Sequence, residues 1–316
     1  MNKKATINYL IFLLILITLL ILANYFYTAY VLTDTLLSRN EEQIEDNFRN
    51  TKILFSGGSH VMTGLSPDRI ENSFNFSSLG ENYAYTYYKL KYILESYDIR
   101  LNTLILPIDL QDFSSSRIKL IENEWHTNVW YWHKYINYEN LKLIIKETSY
   151  LQWQTAKFFP VIGNGPSIIM KLRGSLINTD MKLGQQIRVN DFSKSDDQDK
   201  SAKFRAEWHL SNSETFDATM SDYFERILNL GKEYNLNILI VRFPVSEEYY
   251  KFSAEYLDID EYYEKVYEIT DKYDNIRILD YHDLFFDKDY FFNDPDHLNK
   301  NGADYLTDLI KKEIDM

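Results

Sequence analysis

Residues 52–60 read Lys-Ile-Leu-Phe-Ser-Gly-Gly-Ser-His, an apolar run that ends at two glycines and a serine. The β-branched and aromatic residues favour a strand, and the paired glycines allow a sharp turn after it. In an open parallel sheet, reactive groups collect at the carboxyl ends of the strands, where a following helix directs its free N–H groups. Ser59 is therefore well placed as a nucleophile. A tight turn with a helix-capping serine fits the same residues.

Four more strand patterns follow along the chain, and helical patterns separate them. The strands are predicted at 72–77, 102–108, 237–243 and 275–280, and the helices at 81–97, 214–234, 261–273 and from about 301 to the end. Strands that alternate with long amphipathic helices imply a parallel sheet covered by helices on both faces. The sequence therefore predicts an α/β fold with three layers.

The stretch 114–217 interrupts this alternation and is interpreted as a helical insertion. It contains all five tryptophans and a polar run, Asp191–Ser201, which is predicted to be a mobile loop. A long insertion beside such a sheet is commonly a lid or a substrate-recognition subdomain. A plain structural elaboration of the fold is an equal alternative.

The N-terminus predicts a membrane anchor. Residues 7–23 carry no charge, and the apolar and aromatic run continues to Val31, which is long enough to cross about 30 Å of hydrocarbon. Lys3 and Lys4 precede the run and Asp34 follows it, so the positive-inside rule places the N-terminus in the cytoplasm and the rest outside. A cleaved signal peptide is the alternative, but no good small-x-small cleavage site follows.

The composition narrows the partners and the chemistry. The net charge of the 316 residues is -13, so a nucleic acid backbone would be repelled and is excluded as an expected partner. There is no cysteine, which removes disulfides, thiolate metal sites and cysteine nucleophiles. The histidines show no metal-ligand spacing and no glycine loop is suited to phosphates, so neither a metal nor a cofactor is expected.

A second chemistry-bearing segment lies near the C-terminus, where residues 293–299 read Asn-Asp-Pro-Asp-His-Leu-Asn. A serine hydroxyl needs a base within hydrogen-bond reach, and that base needs an acceptor that fixes its tautomer. Asp294 lies three residues before His297 in a loop restrained by proline, so it can reach the imidazole from the same turn. A surface loop before a helix start is the alternative for this segment taken alone.

Together, Gly57-Gly58-Ser59-His60 and Asp294-Pro295-Asp296-His297 resemble the first and last sequence blocks of the SGNH (GDSL) hydrolase superfamily. The resemblance implies a flavodoxin-like α/β/α fold in which Ser59 is the nucleophile, His297 the general base and Asp294 its orienting partner. It also implies that Gly80 matches the glycine of the second block, whose N–H joins that of Ser59 in the oxyanion hole.

The sequence departs from the family pattern in two places. Gly58 stands where an aspartate usually precedes the nucleophile, and the Gly-x-Asn-Asp block after the third strand is replaced by Pro-Ile-Asp-Leu-Gln at 107–111. The third oxyanion donor is therefore unassigned. Gln111 could supply an amide, whereas an ionised Asp109 would repel the developing oxyanion. His60 either lines the site or faces solvent at the helix start.

In its altered middle block and its N-terminal anchor, the sequence resembles SGNH-like proteins of teichoic-acid D-alanylation and exopolysaccharide O-acetylation. The resemblance implies a membrane-anchored, extracytoplasmic serine esterase or O-acyltransferase that acts on acyl groups of a cell-surface glycan or teichoic-type polymer. A multi-pass membrane acyltransferase is the expected protein partner. The alternatives are a non-catalytic SGNH scaffold that binds polymer or docks such an acyltransferase, and a secreted lipid esterase.

The predicted organisation has three parts. Residues 1–31 form the cytoplasmic tip and the transmembrane anchor, residues 32–50 a charged stalk, and residues 51–316 the outer domain with its insertion. The acyl group, the polymer, the direction of the reaction and the oligomeric state are left open by the sequence.

Overall fold

The computed structural model describes residues 3–32, 43, 47–97, 99–119, 129–145, 148–163, 181–211 and 214–315. Most of the predicted stalk, together with Trp125 and His126, lies outside the described residues. The described helices are α1 (Lys3–Tyr27), α2 (Ser59–Gly64), α3 (Tyr83–Ser96), α4 (Tyr138–Ile144), α5 (Tyr150–Phe158), α6 (Pro160–Gly163), α7 (Gln198–Leu210), α8 (Ala218–Glu233), α9 (Glu247–Ser253), α10 (Ile259–Thr270) and α11 (Lys300–Ile314).

Five parallel strands form the central sheet, in the order β2-β1-β3-β6-β7. They are β1 (Ile53–Phe55), β2 (Ser73–Asn75), β3 (Thr103–Pro107), β6 (Asn237–Arg242) and β7 (Ile276–Asp280). Two short hairpins contain the other strands, β4 (Met181–Lys182) with β5 (Gln185–Gln186) and β8 (Phe292–Asp294) with β9 (His297–Leu298). Among the strands of the sheet this is the flavodoxin-like order 2-1-3-4-5, so the predicted fold class is confirmed.

Helices cover both faces of the sheet because alternate strand residues point to opposite sides. Leu54, Leu104 and Ile238 belong to one apolar core, which they share with residues of α3, α8 and α10. Phe55 and Ile105 belong to the second core, together with residues of α2 and α11. The strand order reverses between β1 and β3, and ligands of open α/β sheets bind outside the carboxyl ends of the strands at such a point.

The N-terminal helix is joined to the outer domain by packing as well as by the chain. Residues Lys3–Leu32, which include a π-helical turn over Thr28–Leu32, form one helix long and apolar enough to cross a membrane. Tyr27 and Leu32 are buried, and the Tyr131 hydroxyl donates to the Leu32 carbonyl over 3.2 Å. Tyr27 therefore packs against protein.

The insertion contributes to the main core. Tyr131, Trp132 and Trp153 are buried in the core on the α3 side of the sheet, and Trp132 stacks on Tyr85 of α3 with ring centroids 3.9 Å apart. Burial of aromatic side chains in the shared core couples these segments of the insertion to the folding of the sheet.

The expectation of a mobile loop at Asp191–Ser201 is wrong. Phe192 is buried in a 3₁₀ turn that Asp191 caps, and α7 begins at Gln198 with the Asp197 side chain accepting from the Lys200 N–H. Aspartates are favoured at such caps because their oxygens satisfy the free N–H groups of the first turn. The polar composition of the run therefore indicates helix starts.

Gly57 is required by the turn that follows β1. Its φ is +145°, and a Cβ atom built there would lie 2.6 Å from the Pro107 ring of β3. We predict that Gly57→Ala lowers the free energy of unfolding by roughly 1–3 kcal/mol for backbone strain and by a similar amount for overpacking. Chemical denaturation of the detergent-solubilised chain measures this change.

Gly58→Ala is the matched control for that variant. Its φ is −80°, and its nearest contact would be the Glu81 carbonyl oxygen at 3.2 Å. We expect a clearly smaller loss of stability than for Gly57→Ala. Equal losses for the two variants would contradict a specific requirement for glycine at position 57.

Candidate active site

Ser59 and His297 meet at the carboxyl edge of the sheet, although 238 positions separate them in sequence. The His297 Nε2 atom lies 2.8 Å from the Ser59 Oγ atom, and the Nδ1 atom lies 2.7 Å from Asp294 Oδ1. Ser59 is the first residue of α2 and His297 begins β9. The three residues thus have the hydrogen-bonded order of a serine, a base and an orienting carboxylate.

The β8–β9 hairpin brings Asp294 and His297 to the same place. Asp294 is paired with His297 across the hairpin, and Pro295 and Asp296 form its turn. Arg188 holds the other oxygen of Asp294 over 2.9 Å, and the Asn293 side chain donates to that oxygen over 3.1 Å. The carboxylate is therefore oriented from two sides, with one oxygen directed at the imidazole.

A second carboxylate, Asp296, lies fully buried beside the imidazole. Its Oδ1 atom accepts from Arg205 Nε over 2.7 Å and lies 3.4 Å from His297 Nδ1, and its Oδ2 atom lies 3.2 Å from His60 Nε2. Burial alone would raise the pKa of Asp296, but its contacts with His297 and His60 hold that pKa well below its usual range. Asp296 therefore joins three cationic or ionisable side chains in one buried network.

The contacts of His297 decide where its proton lies. Arg205 also reaches Nδ1, at 3.1 Å, but a guanidinium can only donate, whereas Asp294 can only accept when ionised. The Asp294 contact is shorter and joins the N–H to a negative charge. It favours the tautomer with the proton on Nδ1, which leaves the Nε2 lone pair directed at the Ser59 hydroxyl.

His60 is buried between two carboxylates and does not face solvent. Its Nδ1 atom lies 2.7 Å from Asp109 Oδ2, opposite the Asp296 contact, and its ring is 5.0 Å from that of His297. Burial opposes the charged form, but Asp109 and Asp296 together raise the pKa of His60 to about 10. At neutral pH His60 is therefore an imidazolium that compensates Asp109, and the negative charge of Asp109 is directed at His60.

The loop containing Gly80 lies beside the loop that precedes Ser59. The Ser78 N–H donates to the Gly57 carbonyl over 3.1 Å, and Gly80 has a φ of +71° within the Ser78–Glu81 turn, which glycine adopts readily. Glu81 is buried and paired with Lys89, and it accepts from Ser78 and Thr86. Among the described residues, the N–H groups of Ser59 and Gly80 have no hydrogen-bond partner, so both are free to bind an anion.

Gln111 lies deeper in the fold, where its side-chain oxygen accepts from the Tyr249 hydroxyl over 3.1 Å. It lines a small cavity together with His60, Asp109 and Arg242. This contact occupies the oxygen and leaves the NH₂ group to donate. Its role as a third oxyanion donor stays a prediction.

His60, Asp296 and His297 are the one grouping among the described residues whose donor atoms approach closely enough for a metal ion. Their chemistry does not fit a ligand set. Both ring nitrogens of His60 face carboxylates, and Nε2 of His297 faces Ser59. These three residues form an ion-pair network in which each nitrogen already has a partner.

Three polar residues of the site are absent from the sequence-based predictions: Arg188, Arg205 and Asp296. Asp296 had a detectable signal, since it lies beside His297 in the same segment. Arg205 belongs to α7, whose first residues lie in the polar run that the sequence analysis predicts to be a loop. Arg188 belongs to the same insertion and lies just before that run. No local pattern marks either arginine, because each acquires its role only through tertiary contacts.

A known protein family matches part of the chain. Residues 186–305, which are less than half of the chain, match the family model described as DltD protein. The matched segment contains Arg188, Arg205, Asp294 and His297 but not Ser59. No curated protein matched the chain.

One similar solved structure comes from Streptococcus pneumonia, and its description proposes a platelet activating factor. It is 12% identical, with a TM-score of 0.43, and the alignment covers 93% of this chain and 98% of that one. The resemblance to SGNH-type proteins of the cell envelope is confirmed by the family match.

The contacts of buried His60 with Asp109 and Asp296 lead to a prediction about stability and its dependence on pH. Removing the imidazolium leaves Asp109 and Asp296 buried without their shared cation, so His60→Gln should lower the free energy of unfolding by about 3–5 kcal/mol near neutral pH. The folded pKa of about 10 lies above the unfolded value of 6.5, so the contribution is complete below about pH 6.5 and is lost as the pH rises towards 10. Chemical denaturation in detergent at several pH values measures the difference.

His282→Gln is the control for this prediction. His282 is partly exposed and contacts a single carboxylate, Asp280, so its replacement should change stability much less. A stability difference between wild type and His60→Gln that grows from pH 6.5 to pH 10 would contradict the ion-pair account.

Proposed function

We propose that the chain is a membrane-anchored serine esterase or O-acyltransferase that acts on acyl groups of a cell-envelope polymer. The observation that carries the proposal is the hydrogen-bonded sequence Ser59–His297–Asp294 at the switch point of the sheet. The match of residues 186–305 to the DltD protein family supports the envelope setting. The long apolar N-terminal helix supports the anchor. Lys3 and Lys4 before it favour a cytoplasmic N-terminus and an outer domain on the extracytoplasmic side.

The proposed reaction proceeds through an acyl-enzyme. Ser59 Oγ attacks the acyl carbonyl while His297 Nε2 takes the hydroxyl proton, and Asp294 stabilises the imidazolium that forms. The free N–H groups of Ser59 and Gly80 then bind the developing oxyanion. His297 returns its proton to the leaving group, and water or a polymer hydroxyl accepts the acyl group in the second half of the reaction.

DltD proteins are linked to teichoic-acid D-alanylation. A teichoic-type polymer is therefore the favoured acceptor, and an aminoacyl group is the favoured group for transfer. Transfer is favoured over hydrolysis because a tethered enzyme meets a membrane-bound acyl donor at high local concentration. A multi-pass membrane acyltransferase would supply the acyl group in this scheme.

A non-catalytic scaffold is the second candidate, and the missing third block favours it. Asp109 stands in that block and is committed to His60, so it offers no donor to an oxyanion. Loss of one such donor costs roughly 10²–10³-fold in rate. In this alternative the outer domain binds polymer or docks the acyltransferase.

We predict that a fluorophosphonate probe labels Ser59 of the full-length chain in detergent. Ser59→Ala should abolish the adduct, and His297→Gln should slow labelling by about 10²–10⁴-fold because the hydroxyl loses its base. Mass spectrometry of the labelled peptide identifies the site and gives the rate.

Ser56→Ala is the matched control, since Ser56 lies three residues earlier and its buried hydroxyl has no hydrogen-bond partner among the described residues. Labelling of Ser56→Ala at the wild-type rate is expected. An adduct retained in Ser59→Ala would contradict a nucleophilic Ser59. Unchanged polymer acylation in cells that carry Ser59→Ala would favour the scaffold.

A further inference from the structure

The insertion exposes large apolar side chains on three helices, of which α5 and α6 contact the membrane anchor. Their exposed fractions are 67% for Leu143, 56% for Tyr150, 74% for Leu151, 58% for Phe158 and 58% for Ile162. They lie on α4, α5 and α6, and we call them the anchor-side patch. The opposite side of α5 buries Trp153 and Ala156 in the protein, so the helix is apolar on both sides.

The anchor contacts this part of the insertion directly. The Asn24 side chain of α1 donates to the Phe158 carbonyl over 2.9 Å and accepts from the Val161 N–H over 3.4 Å. Asn24 therefore satisfies backbone groups at the junction of α5 and α6. The contact fixes Phe158 and Ile162 at the same height along α1 as Asn24.

That height lies at the boundary of the hydrocarbon. Asn24 follows 17 residues counted from Ile7, and these span about 25 Å at about 1.5 Å per residue. The hydrocarbon core is about 30 Å thick, so the apolar run crosses it only by continuing past Asn24 towards Val31. Asn24 and its partners on α5 and α6 therefore lie in the outermost part of the hydrocarbon, next to the headgroups.

Two polar side chains on α5, Gln154 and Thr155, have partners within the helix. Thr155 donates its hydroxyl to the Leu151 carbonyl over 2.8 Å, and the Gln154 amide donates to the Tyr150 hydroxyl. The Lys157 ammonium lies over the rings of Trp153 and Phe158, at 5.0 and 5.2 Å. Polar groups in hydrocarbon must find internal partners, and a lysine at the interface directs its charge towards the headgroups.

We propose that the anchor-side patch inserts into the interface of the lipid bilayer and forms a second membrane contact beside α1. The patch has the apolar face and flanking lysines of an interfacial helix, with Lys142 and Lys157 available to anionic headgroups. Lipid is the occupant that the structure favours, because the patch is continuous with the membrane-spanning helix through Asn24. Two contacts fix the angle of the outer domain to the bilayer, which a single flexible tether would not.

The absence of native cysteine permits a direct test with single cysteines. Leu151→Cys and Phe158→Cys of the full-length chain are labelled with an environment-sensitive fluorophore and placed in nanodiscs of phosphatidylcholine and phosphatidylglycerol. We expect blue-shifted emission and at least a twofold stronger quenching by lipids with a shallow nitroxide than by aqueous iodide.

Two further labels act as controls in the same nanodiscs. A label at Phe204→Cys, on the exposed side of α7, should be quenched by iodide and not by lipid, and a label at Leu14→Cys should be quenched by a deep nitroxide. If positions 151 and 158 behave like position 204 while position 14 is quenched, the lipid contact is refuted although the anchor stands. Protection of the patch only in native membranes, and not in lipid alone, would likewise refute it in favour of a protein partner.

Discussion

The site depends on the pairing of one buried carboxylate. Asp296 has no solvent to stabilise its charge, so the fold must supply partners from three separate segments. His60 of α2 and Arg205 of α7 are cations, and the imidazole of His297 in β9 lies 3.4 Å from the same carboxylate. Each of these residues also serves another part of the site. Formation of the ion-pair network therefore brings the start of the outer domain, the insertion and the last loop into one arrangement.

This arrangement makes the insertion a structural part of the site. A lid is expected to pack weakly and to open, but Trp132 and Trp153 share the main core and α7 carries Arg205 to the His297 imidazole. His209, also on α7, lies 2.8 Å from the Tyr249 hydroxyl, which in turn donates to Gln111. The insertion is consequently part of the electrostatic environment of the site, and its removal would expose buried charge.

The sequence was sufficient to predict what local pattern encodes. The five strands and the main helices follow from hydrophobic periodicity, and Ser59 and His297 follow from the position of turns at strand ends. The roles of Arg188, Arg205 and Asp296 could not be predicted. Each role depends on a contact with a residue distant in sequence, and the residues adjacent in sequence do not reveal such a contact. The polar run at 191–201 was misinterpreted because the same aspartates that suggest disorder also cap helices, and composition cannot separate the two.

The departure from the family's third block has a physical explanation in the network. An ionised carboxylate at position 109 would oppose an oxyanion, yet its Oδ2 atom is 2.7 Å from His60 and its Oδ1 atom accepts from the Phe243 N–H. The charge of Asp109 is thus neutralised inside the fold, and the repulsion that the sequence alone suggested does not reach Ser59 at full strength. In the proposed reaction the oxyanion would rely on the backbone N–H groups of Ser59 and Gly80, with the Gln111 amide as the predicted third donor. If the proposed reaction occurs there, such a site would suit an acyl donor that is already activated, because that reaction requires less stabilisation of its transition state than hydrolysis of a stable ester.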